Sequence, residues 1–139
     1  MNNDKTSILN YITSKKEYAR HAILIDPADQ TPDIAAKRCL AAANAGSSMI
    51  LVGGSSDTDM KNVEATVSAI KEMLELVKWA ATQDAITSEE QNIPVVLFPQ
   101  GAAALSTKAD AVTFMMLMNS TSSRYLIDEQ VLGAPHIKK

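Results

Sequence analysis

The sequence has little of what marks a specialised compartment or chemistry. One cysteine, Cys39, stands among 139 residues, which excludes an internal disulfide framework and fits a reducing cytosol. Its place in a helical pattern makes it a small buried side chain rather than a nucleophile. Neither sign of charge dominates: 13 basic residues face 16 acidic ones, for a net charge of −3. No basic stripe is present, and the pairs Lys15-Lys16 and Lys138-Lys139 read as solvated ends. Nucleic acid and anionic membrane surfaces are therefore not expected partners. No apolar run reaches the roughly 18 residues of a membrane span. The polar start MNNDKTSILN has no apolar signal core. A cytoplasmic protein without a transmembrane segment is the expectation.

What is present is alternation. Ile8, Leu9 and Ile12 predict an amphipathic leading helix within Lys5 to Arg20. Short apolar runs of strand length follow at Ala22 to Ile25, Ser48 to Val52, Ile93 to Phe98, and within Ala109 to Met118. Between them lie helical patterns. Thr31 and Pro32 are N-cap and first-turn residues for a helix that runs to Asn44 and stops at Gly46. Val63, Val67, Ile70, Met73, Leu74 and Val77 give Asp57 to Gln83 one apolar face. A polar excursion, Asp84 to Asn92, comes next, and Arg124 to Leu132 reads as a last short helix. Strands apolar on both faces, alternating with helices, predict a parallel sheet covered by helices. The fold class is α/β. The short units and polar strand ends favour half of a (β/α)8 TIM-type barrel, with four of its eight parallel strands. Residues 1–139 are read as one incomplete barrel domain behind a leading helix.

Ligands bind parallel α/β folds at the carboxyl ends of the strands. Here those ends are Asp26-Pro27, Gly53-Gly54-Ser55-Ser56, Pro99-Gln100-Gly101 and Asn119-Ser120. Neither His21 nor His136 falls at one, so a zinc site is not expected. No nucleophile elbow, P-loop or dinucleotide fingerprint is present. The most pointed pair is Asp26 with Ser55. One carboxylate and one hydroxyl on neighbouring strands suit Mg²⁺, which keeps waters and takes few protein oxygens besides substrate phosphates. Asp26 is equally suited to an N-cap or an Asx-turn before Pro27, and Ser55 to a turn. The methionines of TFMMLMN are expected as filler in a buried strand.

Five segments in order carry a resemblance: LIDP at 24–27, AGSSMILVGGSS at 45–56, PVVLFP at 94–99, ADAVTFMMLMNS at 109–120 and RYLIDEQVLGAP at 124–135. Together they resemble the geranylgeranylglyceryl phosphate synthase family, whose bacterial relatives are heptaprenylglyceryl phosphate synthases. The resemblance implies a (β/α)8 prenyltransferase of membrane lipid biosynthesis, of which this chain is the amino-terminal half. Such an enzyme joins sn-glycerol 1-phosphate to geranylgeranyl diphosphate by an ether bond. It implies Mg²⁺ held by Asp26 and Ser55. Gly53, Gly54, Phe98, Asn119 and Tyr125 become substrate-binding candidates, with Phe114 beside Phe98 and Tyr125 for the prenyl tail. No catalytic residue is assigned.

The chain departs from the family pattern at Ala28-Asp29, where an acid-Lys pair is common, and at Gln100-Gly101, where Gly-Asn is usual. The polar segment 84–92 is also longer. The Gly-rich loops implied for glycerol phosphate do not occur before Lys139, so no residue is assigned to that substrate. The alternative is a truncated, non-catalytic half-barrel that needs a partner chain. Two open sheet edges make a homo-oligomer the expected state.

Overall fold

The computed structural model describes residues 8–14, 19–53, 58–83, 92–114 and 116–137. Its elements alternate: α1 (Ile8–Thr13), β1 (Ala22–Ile25), α2 (Pro32–Asn44), β2 (Met49–Gly53), α3 (Met60–Gln83), β3 (Val95–Phe98), β4 (Ala111–Val112) and α4 (Glu129–Gly133). Short 3₁₀ turns occupy Ala102–Ala104 and Ala134–His136, and a π-helical turn, Arg124–Asp128, leads into α4. The strands form one parallel sheet in the order β1-β2-β3-β4. This is the expected half-barrel order.

Local chemistry sets the boundaries. The Oγ1 of Thr31 accepts from the Ile34 N–H at 3.4 Å, and Pro32 opens α2 with its φ already suited to a helix. Asp59 caps α3 by accepting from the Asn62 N–H at 2.7 Å. Two helices are shorter than the sequence pattern suggests. In the leading segment Ser14 is a bend and residues 19 and 20 are non-helical; 5–7 and 15–18 lie outside the described residues. Arg20 instead lies 4.5 Å from the Tyr11 ring, and the Tyr11 hydroxyl donates to Ser48 O at 2.6 Å, seating α1 at the amino ends of the strands. Residues 58 and 59 precede α3, and the polar segment 84–91 is outside the described residues. β3 begins at Val95 rather than Ile93, because Pro94 has no N–H to give the ladder and serves it only as an acceptor, from Ile50 N–H at 3.0 Å.

The register places Ile23, Ile25, Ile50, Val52, Val95, Leu97 and Val112 on one face. α2 and α3 cover it with Ala35, Cys39, Val63, Val67 and Ile70, and these side chains form the core. Burial pushes the Cys39 thiol up to about 12, so it stays protonated and inert, as a filler in α2 should. The other face carries Leu24, Leu51, Val96 and Phe98.

β4 corrects an expectation. Only Ala111 and Val112 pair with β3, and the ladder reaches one residue further through Thr113 N–H to Leu97 O at 2.9 Å. Phe114, Met116, Leu117 and Met118 then leave the sheet and are exposed; Met115 is outside the described residues. They are not buried strand filler. Among the described residues β4 has β3 on one side only, and past Thr113 no second strand holds the chain extended. The backbone turns back, with Leu117 N–H donating to Tyr125 O at 2.9 Å. At the opposite end β4 is firmly fixed. Asp110 N–H donates to Val95 O, and Asp110 Oδ2 accepts from Val95 N–H, both at 2.9 Å. Its Oδ1 meets Lys71 Nζ of α3 at 2.6 Å.

Candidate functional site

The carboxyl ends of β3 and β4 enclose a cleft of about 190 Å³. Phe98 ends β3 and is 52 % exposed on the side away from the helices. Phe114, 74 % exposed, follows β4. Tyr125 comes from the π-helical turn, with the Arg124 guanidinium 5.4 Å from its ring. All three line this cleft. They are the aromatic residues expected near a prenyl tail, drawn together from three segments. Met116, Leu117 and Thr113 complete the wall on the β4 side, Pro99 and Gln100 the wall on the β3 side. Asn119 is exposed on the turn after Leu117 and is not among the lining residues.

Gly53 ends β2 opposite Phe98. A Cβ at this position would lie 1.8 Å from the Phe98 carbonyl oxygen. Glycine is therefore needed for the close approach of the two strands. The structure gives Gly53 a steric role at the rim of the site. Gly54 and Ser55 lie outside the described residues, so the expected pairing of Asp26 with Ser55 is not described either.

Asp26 follows the last residue of β1 and is half-buried. Its Oδ1 accepts from Ala28 N–H at 2.9 Å, the Asx-turn that the Asp-Pro sequence suggests. It does not cap α2, which is Thr31's role. Its carbonyl accepts from Gln30 Nε2 at 2.9 Å, and Gln30 is held in turn by Arg38 at 2.8 Å. Asn62 Nδ2 of α3 donates to Pro27 O at 2.9 Å. The carboxylate thus projects from a loop tied to both covering helices. Among the described residues no group of three or more His, Cys, Asp or Glu side chains is placed to hold a metal. A single oriented carboxylate is nevertheless the oxygen donor that Mg²⁺ takes when substrate phosphates and waters complete its shell.

One lining residue was not singled out in the sequence. Glu129 opens α4, is only 6 % exposed, and belongs to the cleft. Its Oε2 accepts from Ala102 N–H at 2.8 Å and its Oε1 from Arg124 Nε at 2.6 Å. Those two donors, the amide first, hold the carboxyl below the usual carboxylate range against the opposing effect of burial. In a segment read only as a short last helix, no spacing marks one acid out. The available signal was Gly101, the small residue after β3 against which the carboxylate rests: a Cβ there would lie 2.5 Å from Glu129 Oε2.

The PcrB family matches residues 12–139. Geranylgeranylglyceryl phosphate synthase of Methanothrix thermoacetophila is 41% identical over 121 residues, covering 87% of this chain and 41% of the relative. The enzyme of the same name from Methanosphaera stadtmanae is 40% identical over 134 residues, 96% of this chain and 48% of the relative. The chain thus spans less than half the length of these curated relatives. Among solved structures, the Thermoplasma acidophilum synthase in complex with its substrate sn-glycerol-1-phosphate superposes with a TM-score of 0.68 at 31% identity. It covers 98% of this chain and 47% of that one. The wild-type Thermoplasma volcanium enzyme gives a TM-score of 0.67 at 38% identity, covering 84% and 40%.

Proposed function

Since the chain belongs to the PcrB family, we propose that it forms the amino-terminal half of a prenyltransferase that joins geranylgeranyl diphosphate to sn-glycerol 1-phosphate. The observation that carries this reading is the convergence of Phe98, Phe114 and Tyr125 on one cleft at the carboxyl ends of parallel strands. Aromatic and thioether side chains give an isoprenoid tail apolar contact without a competing polar demand. The Asp26 carboxylate lies at the same end of the sheet and, with Ser55, would hold Mg²⁺ on the diphosphate. When bound, the cation neutralises the leaving group.

The transfer forms a bond from the glycerol hydroxyl oxygen to the allylic carbon as the bond from that carbon to diphosphate breaks. Diphosphate departs with the electron pair, and the hydroxyl proton passes to solvent. The cleft orients the tail and keeps water from the allylic carbon, so that positioning supplies most of the acceleration. The test is ether formation from the two substrates with Mg²⁺ present. In a complete enzyme carrying this half, Asp26→Asn is expected to lower turnover on the order of 10²-fold or more, with the thermal melt nearly unchanged. Wild-type turnover in that variant would remove Asp26 from the site.

A second reading has its own support. Among the described residues β1 and β4 each have one strand neighbour, and Leu24 and Phe98 on the face away from the helices are exposed. A non-catalytic half-barrel would close this face by pairing with another chain. Sedimentation together with the assay separates the two: association without turnover favours the second.

A further inference from the structure

We propose that Glu129 is a positioning residue for the prenyl cleft: by bridging the loop after β3 to the segment before α4, it sets the separation of the two cleft walls. This rests on the prenyltransferase reading and adds to it a determinant of tail length.

Phe98, Pro99 and Gln100 form one wall and continue directly into Gly101 and Ala102. The opposite wall includes Tyr125, next to Arg124. Glu129 holds a backbone group of the first through Ala102 N–H at 2.8 Å and a side chain of the second through Arg124 Nε at 2.6 Å. Each carboxylate oxygen serves one wall. Arg124 is 59 % exposed at its side chain whereas that of Glu129 is 8 % exposed, so the bridge is anchored from the inside. Gly101 leaves room for it: a methyl group at that position would meet the carboxylate end of Glu129 before any backbone atom. Each carboxylate oxygen already accepts from a wall donor, so Glu129, though it lines the cleft, acts on the tail through the walls it joins. Hydrogen bonds to an ionised, buried group are the strong ones, and losing them frees both segments together.

A residue that only stabilises the fold would weaken all ligands alike when changed. A residue that sets wall separation changes the dependence on tail length. The experiment is calorimetric titration of the full chain with geranyl, farnesyl and geranylgeranyl diphosphate and with inorganic diphosphate, Mg²⁺ present throughout. In the wild type, affinity is expected to rise with tail length; a flat series would overturn the prenyltransferase reading itself. Given a rising series, Glu129→Gln is expected to lower the ratio of geranylgeranyl to geranyl affinity about tenfold and to leave inorganic diphosphate binding unchanged. An unchanged ratio in a folded Glu129→Gln protein overturns the positioning role and leaves the reading of the cleft intact.

Gly101→Ala guards against loss of folding in that variant. It retains the carboxylate and displaces it, so it should lower the same ratio. Combined with Glu129→Ala it should add almost nothing further, because the group it displaces is gone. Additive effects of the two changes would overturn the bridge.

Discussion

The two faces of the sheet behave as different materials. Toward α2 and α3, β1 to β3 contribute Ile25, Ile50, Val52, Val95 and Leu97, all essentially inaccessible to water. On the other side the burial is uneven: Leu24 is 55 % exposed and Phe98 nearly as much, whereas Val96 between them is buried. Yet both faces are aliphatic and aromatic in sequence. Hydrophobicity therefore does not locate the core of this chain; coverage by helices does. The covered face holds the fold together, and the open face and its rim are where a ligand or further polypeptide finds apolar surface.

That contrast can be broken from either side. The largest effect is expected at Ile50, fully buried at the centre of the covered face: Ile50→Ala should cost ~2–5 kcal/mol in denaturant unfolding, from lost transfer energy and the cavity left. Gly53→Ala should follow at about 1–3 kcal/mol, as overpacking of the rim against the Phe98 carbonyl, with a visible loss of cooperativity in the melt. Leu24→Lys, on the open face, should change stability by no more than about 0.5 kcal/mol while reducing self-association in sedimentation velocity. If it costs as much as Ile50→Ala, or if the wild type sediments as a clean monomer, the open face is not the contact surface supposed here.

The smallest effect concerns acid. The folded-state pKa of Glu129 is lowered from its ordinary value of 4.5, through Ala102 N–H and Arg124. Its contribution is therefore present above that value and is lost as pH falls through the lower native one. The difference in melting temperature between wild type and Glu129→Gln should be steady near neutrality and shrink on acidification below 4.5. A difference that widens toward low pH would mean the carboxyl is not held ionised by its two donors.

Much of this architecture is legible in the amino-acid sequence. Four apolar runs separated by helical patterns dictate a parallel sheet, and Thr31, Pro32 and Gly46 mark the ends of α2 as read. The apolar run after β4 was not. AVTFMMLM has the composition of a buried strand, and composition cannot tell whether a neighbouring strand exists to receive it. At the site, Phe98, Phe114 and Tyr125 were identifiable because they sit at or near strand ends or in the matching segments. Glu129 was not, because its importance arises from contact with Gly101 and Ala102, 27 residues earlier for the latter. Long-range polar contacts leave no periodic trace. Asp26 illustrates a different limit: the sequence offered a turn or a metal ligand as alternatives, and the Asx-turn that the structure shows is compatible with both.

The fixing of β4 at one end has a dynamic consequence. Asp110 is bound to Val95 twice through hydrogen bonds and once more to α3 through Lys71, whereas past Thr113 the segment has left the ladder. Opening free energy should therefore fall steadily along a few residues. In amide hydrogen exchange the Asp110 N–H should be protected more strongly than the Thr113 N–H. Fluctuations at the Phe114 wall are in this way decoupled from the core. The Phe114 wall is expected to open at lower cost than the sheet that carries it.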